Sequence, residues 1–85
     1  MNTVELKKLI ENKLGKNTTA IIESDDNVHF NARIISDVFF GVISKVKQQQ
    51  MVYAIINKYI TSGELHAIAM ATYTPEKWHA LSSES

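Results

Sequence analysis

Residues 62–78 read SGELHAIAMATYTPEKW, and this stretch decides the architecture. Gly63 ends whatever precedes it, and Leu65 to Tyr73 then has the length and composition of a strand. Within it the bulky Ile68 and Met70 share one parity, while Ala69 and Ala71 share the other. The bulky side is assigned to packed helices. Thr74 followed by Pro75 marks the start of another helix, with Pro at the first helical position and Trp78 and Leu81 as its buried residues. The tail SSES is expected to fray.

Upstream of Gly63, a long helix is predicted from about Ile43 to Thr61. Val46, Val52, Tyr53, Ile56, Tyr59 and Ile60 recur at three- and four-residue steps, leaving Lys45, Lys47, Gln48, Gln49, Asn57 and Lys58 as the polar side. FFG at 39–41 reads as a turn whose two aromatics dock on the core, with Gly41 freeing the backbone. Before it, Val28, Phe30, Ala32 and Ile34 alternate with His29, Asn31, Arg33 and Ile35, the period of a half-buried strand. Thr18 to Ser24 is rich in β-branched residues, and Asp25, Asp26 and Asn27 suit a hairpin turn between the two strands. Thr3 to Leu14 forms a first amphipathic helix on Leu6, Leu9, Ile10 and Leu14. Asn2 and Glu5 occupy capping-box positions and Gly15 is a left-handed stop.

The order is therefore helix, strand, strand, helix, strand, helix. A helical crossover between the second and third strands makes them parallel if adjacent. The fold class is α+β: a three-stranded mixed sheet with helices on one face.

Eighty-five residues make one domain. Nine basic and nine acidic side chains cancel, so the strongly positive footprint of a phosphate-neutralising protein is absent. With no cysteine, a disulfide scaffold, a thiolate zinc site and a thiol nucleophile are all excluded. Glu5 interrupts any secretory leader, and no apolar run has the length of a bilayer. A soluble, cytoplasmic protein without membrane partners is expected.

Catalytic patterns are missing. There is no G-x-S-x-G elbow, no phosphate-cradling loop and no dinucleotide fingerprint among three glycines. No two histidines show the i, i+4 spacing of a helical metal site. The chain alone is therefore read as non-enzymatic. Of the three histidines, His66 stands where a strand begins, and from composition it is a packing residue, a cap or a ligand. His29 alternates with core residues and should point outward, while His79 is assigned no role. Lys45, Lys47 and Arg33 are the candidate nucleic-acid contacts, weighed against an ordinary solvated helix face. A G-x-x-G loop of the kind that clamps RNA in KH modules is absent.

Four separated stretches, FFG (39–41), VKQQQMVY (46–53), LHA (65–67) and TYTPEKW (72–78), resemble in order and spacing the BolA-like family. The glutamine run is similar to its IbaG/YrbA branch. The resemblance covers Val28 to Trp78 and implies a class II KH-like fold. It also implies a monothiol glutaredoxin partner and a bridging [2Fe-2S] cluster shared with the glutaredoxin cysteine and a glutathione thiol. The histidine of the family's I/L/V-H-A motif matches His66, which the resemblance makes a cluster ligand.

Family members often supply a second ligand from the loop between the first two strands. Here that region reads ESDDNVHF, with His29 as the available second ligand and Asp26 or a partner residue as alternatives; the parity of His29 differs from that of His66. The implied work is iron-sulfur cluster assembly, trafficking or iron sensing. The alternative is a KH-like DNA-binding transcriptional regulator of the stress response. For that role KVKQQQ (45–50) replaces the arginine-histidine-arginine stretch of other members, so electrostatic affinity for DNA should be weak.

Overall fold

The computed structural model describes residues 1–15 and 17–83. Helix α1 (Thr3–Leu14) begins where Asn2 Oδ1 accepts the Glu5 N–H at 2.9 Å, and it buries Leu6 and Ile10 completely. The Gly15 N–H still reaches Glu11 C=O at 3.1 Å. Gly15 itself, at φ 96° and ψ −147°, leaves in an extended conformation open to glycine rather than the compact left-handed stop expected.

The three strands β1 (Thr19–Glu23), β2 (His29–Ile35) and β3 (Ala67–Tyr73) lie in the order β1-β2-β3. β1 is antiparallel to β2, with Ala20 opposite Ile34. β3 is parallel to β2, in register from His29 opposite Ala67 to Ile35 opposite Tyr73. Alternation then sorts the faces. Phe30, Ala32 and Ile34, with Ile68 and Met70, meet Leu6 and Ile10 of α1 and Val52 and Ile56 of α2 in one core. The other face carries Asn31, Arg33 and Ala69, all exposed. α1 also closes the β1 margin: Glu11 Oε2 accepts from Lys7 Nζ (2.7 Å) and from the Ala20 N–H (3.0 Å), while Lys7 Nζ donates to Ala20 C=O (2.8 Å). These side chains stand where a further strand would pair.

The expected crossover is α2 (Lys45–Ser62), which starts after Ser44, whose Oγ accepts the Lys47 N–H at 3.3 Å. It ends at Gly63, left-handed at φ 84°. Its buried stripe differs from the one expected. Gln48, Val52 and Ile56 point inward, and Val46 is 63% exposed. Gln48 is buried because both ends of its amide are used: Nε2 donates to Val42 C=O and Oε1 accepts from Thr72 Oγ1, each at 2.6 Å.

FFG is also half corrected. A 3-10 turn over Asp37–Phe39 drives Phe39 into the core, but Phe40 is 68% exposed, since successive side chains around the tight turn diverge.

Leu65 is fully buried and gives its N–H to Tyr59 C=O (3.0 Å), so it closes α2, and β3 begins two residues later than expected. α3 (Pro75–Ser83) is capped by Thr74 Oγ1, which accepts the Lys77 N–H at 3.2 Å. It docks through Trp78, whose ring centroid lies 5.2 Å from that of Tyr73. Leu81, expected inside, is exposed. Ser82 and Ser83, in the tail 82–85 expected to fray, instead continue α3; the rest of that tail lies outside the described residues.

Candidate functional site

His66 sits in the junction between the end of α2 and the start of β3. Its neighbours pin it from both sides, through the Leu65 N–H to Tyr59 C=O and the Ala67 N–H to Val28 C=O at 3.3 Å. The side chain is exposed, and among the described residues its ring has no hydrogen-bond or ionic partner. A fixed backbone thus presents an imidazole with both nitrogens unoccupied. That donor set suits one ligand of a metal centre.

His29 opens β2 and pairs in register with Ala67, the residue after His66, so both histidines lie at the same end of the sheet. Strands lie about 4.8 Å apart. The register sets Ala67, not His66, opposite His29, so the two histidines are one residue out of step, as expected. Regular alternation begins only at Ala67, and the chain just before it buries Leu65 and exposes His66.

The His29 ring is exposed too, but it is oriented. Its Nδ1 lies 2.9 Å from Asp26 Oδ2, while Asp26 Oδ1 accepts the N–H groups of Val28 and His29, both at 2.9 Å. Ser24 Oγ donates to His29 C=O at 2.7 Å, and Asn27 turns the loop at φ 57°. The hydrogen bond from the His29 ring, then those from the His29 and Val28 amides, hold the Asp26 carboxyl well below the usual carboxylate range. An ionised carboxylate on Nδ1 selects the tautomer that leaves the Nε2 lone pair outward. Asp26 is therefore an orienting group for His29, with both oxygens already engaged. The signal for it in the sequence was local: an acid three residues before the histidine, across an Asx-type turn. Among the described residues no three His, Asp or Glu side chains converge to hold a metal ion.

The candidate nucleic-acid contacts do not assemble into one patch. Arg33 is paired with Glu23 on the open sheet face, and Lys45 Nζ donates to Thr72 C=O with the Tyr73 ring 5.0 Å away. Of the three, Lys47 has an exposed side chain with no partner among the described residues. Charge is nonetheless unevenly placed. The hollows around the loop from Phe40 to Ser44 are lined by Lys45, Lys47 and Lys77 and, among the described residues, by no acid. The hollow beside His29 is lined by Glu23, Asp25 and Asp26. The seven residues of β2 separate these two ends by roughly 20 Å.

A family model described as BolA-like protein matches residues 4–77. The chain is 32% identical over 78 residues to the acid stress protein IbaG of Escherichia coli K12, covering 92% of this chain and 89% of that one. It is 35% identical over 78 residues to an uncharacterised protein of Haemophilus influenzae, covering 92% and 88%. Among solved structures, a bolA protein homologue from Coxiella burnetii superposes with a TM-score of 0.80 at 28% identity, covering 93% of this chain and 97% of that one. The BolA domain of SufE1 from Arabidopsis thaliana superposes at 0.73 and 29% identity, covering 89% and 96%.

Proposed function

Because the chain belongs to the BolA-like family, we propose that it is a non-enzymatic partner of a monothiol glutaredoxin, with His66 as its ligand to a bridging [2Fe-2S] cluster. One observation carries this reading: an exposed imidazole with no partner among the described residues, held on backbone fixed by hydrogen bonds on either side. The glutaredoxin cysteine and glutathione supply thiolates, and such a cluster supplies one-electron chemistry or transferable iron and sulfur.

His66 contributes a neutral donor where a thiolate would add negative charge, which favours the reduced form, and protonation of the ring releases the ligand. His29, its Nδ1 tied to Asp26, is the second donor this chain offers at the same sheet end. These properties suit cluster delivery or iron sensing in the cytoplasm better than permanent storage. No helix among the described residues is long and apolar enough to cross a membrane.

Anaerobic mixing with a monothiol glutaredoxin, glutathione, iron and sulfide should give a visible spectrum distinct from that of the glutaredoxin alone. Pulsed magnetic resonance of the reduced pair should detect a metal-bound nitrogen that His66→Ala removes. A distinct complex lacking that nitrogen would refute the assignment of His66.

A second reading, regulation of a stress response through DNA, draws on the lysines that line the hollows around Phe40 to Ser44 and on the name of the Escherichia coli relative. Duplex DNA titrated near physiological salt decides it: sequence-selective binding lost in Lys47→Glu supports it, and binding only at low salt reduces it to general attraction.

A further inference from the structure

β3 is an edge strand, and its parallel pairing with β2 uses alternate residues. The Ala67 N–H reaches Val28 C=O at 3.3 Å, and Tyr73 C=O receives the Ser36 N–H at 3.0 Å. Odd-numbered residues therefore turn their main-chain groups toward β2, and Ile68, Met70 and Thr72 turn theirs to the free edge. Two of those three outward carbonyls are occupied from α2. Lys45 Nζ donates to Thr72 C=O, and Gln49 Nε2 makes a long contact with Met70 C=O at 3.5 Å. The Ile68 carbonyl receives no such donor among the described residues. The guarded part of the edge is thus its far half, and the open part adjoins His66.

Ile68 lies two residues from His66, about 7 Å along an extended chain. A protein that brings a metal centre to the His66 ring has this margin within reach, and covering it would remove water from the Ile68 N–H and C=O. Unpaired, each would cost about 1–3 kcal/mol. An extended segment satisfies both at once, and the flanking Ala67 and Ala69 on the open face raise no bulky side chain against it. Resting on the reading of the preceding section, we propose that an extended segment of the glutaredoxin joins the sheet at the β3 edge by main-chain hydrogen bonds to Ile68.

Hydrogen exchange, resolved to single amides by fragmentation mass spectrometry, tests this on the unaltered chain, alone and in the reconstituted complex with a monothiol glutaredoxin and glutathione. The Ile68 amide should slow by about tenfold or more in the complex, while the Thr72 amide, on the guarded half, should keep its rate. A complex that forms, shows the His66-dependent nitrogen signal and leaves Ile68 exchanging at its free rate overturns the strand addition and spares the assignment of His66. Absence of any complex overturns both.

Discussion

The Gln48–Thr72 pair joins α2 to β3 in the interior, and its removal gives the sharpest test of how this fold is held. Gln48→Met deletes a buried hydrogen bond to Thr72 Oγ1 and a partly buried one to Val42 C=O, both 2.6 Å long. Leaving these two polar groups without partners should destabilise the chain by about 2–4 kcal/mol. A domain of this size has on the order of 4–13 kcal/mol in total. Thr72→Val strands only the Gln48 Oε1 and should cost about 1–2 kcal/mol.

In the double variant the Thr72 hydroxyl and the Gln48 carbonyl disappear together, so only the Val42 loss remains. The double variant should be more stable than the sum of the single effects implies, by about 1–2 kcal/mol. Urea unfolding followed by far-ultraviolet circular dichroism measures this. With a slope of about 1 kcal/mol/M, Gln48→Met should lower the midpoint by roughly 2 M or more. Additivity of the two single effects to within about 0.5 kcal/mol would refute the coupling.

Other outcomes follow from individual contacts. Phe39→Ala should cost about 3–5 kcal/mol and the adjacent Phe40→Ser less than about 0.5, measured by the same unfolding curves; equal effects would contradict the turn geometry. Burial pushes the Glu11 carboxyl up, but hydrogen bonds from Lys7 and the Ala20 amide outweigh it and hold the group below its ordinary 4.5. Its contribution is therefore complete at neutral pH and is lost as pH falls below that value through the folded-state pKa. Glu11→Gln should lower neutral stability by about 1 kcal/mol and flatten the acid limb, whereas parallel acid limbs would reject the clamp. Asp26→Ala should shift the neutral His29 ring away from the Nδ1-protonated tautomer, read from its nitrogen chemical shifts. His66→Ala should leave the unfolding midpoint in place, within about 0.5 kcal/mol, and a larger loss would make the ring a packing residue.

The order and direction of the elements were readable because they rest on periodicity and punctuation. Alternation in β2, the stop at Gly63 and Thr74-Pro75 each act locally. What escaped was whatever depends on a partner distant in the chain. Gln48 looked solvated because an amide is polar, yet its Oε1 meets Thr72, 24 residues on. The i, i+4, i+8 spacing of Gln48, Val52 and Ile56 was the available clue. Lys45 looked like a surface cation and instead donates to a strand carbonyl. Phe39 and Phe40 are adjacent and chemically identical, so only the turn separates their fates. The start of β3 was set two residues too early because Leu65, apolar like a strand residue, is buried by closing α2 instead.

The lysines at one end of the sheet and the carboxylates at the other have a kinetic consequence. The hollows there give a formally neutral molecule locally unlike ends, and a charged partner senses that local difference before contact. Approach with the histidine end foremost should then be favoured toward a positively charged surface. Added salt should slow encounter while changing the rate of departure far less.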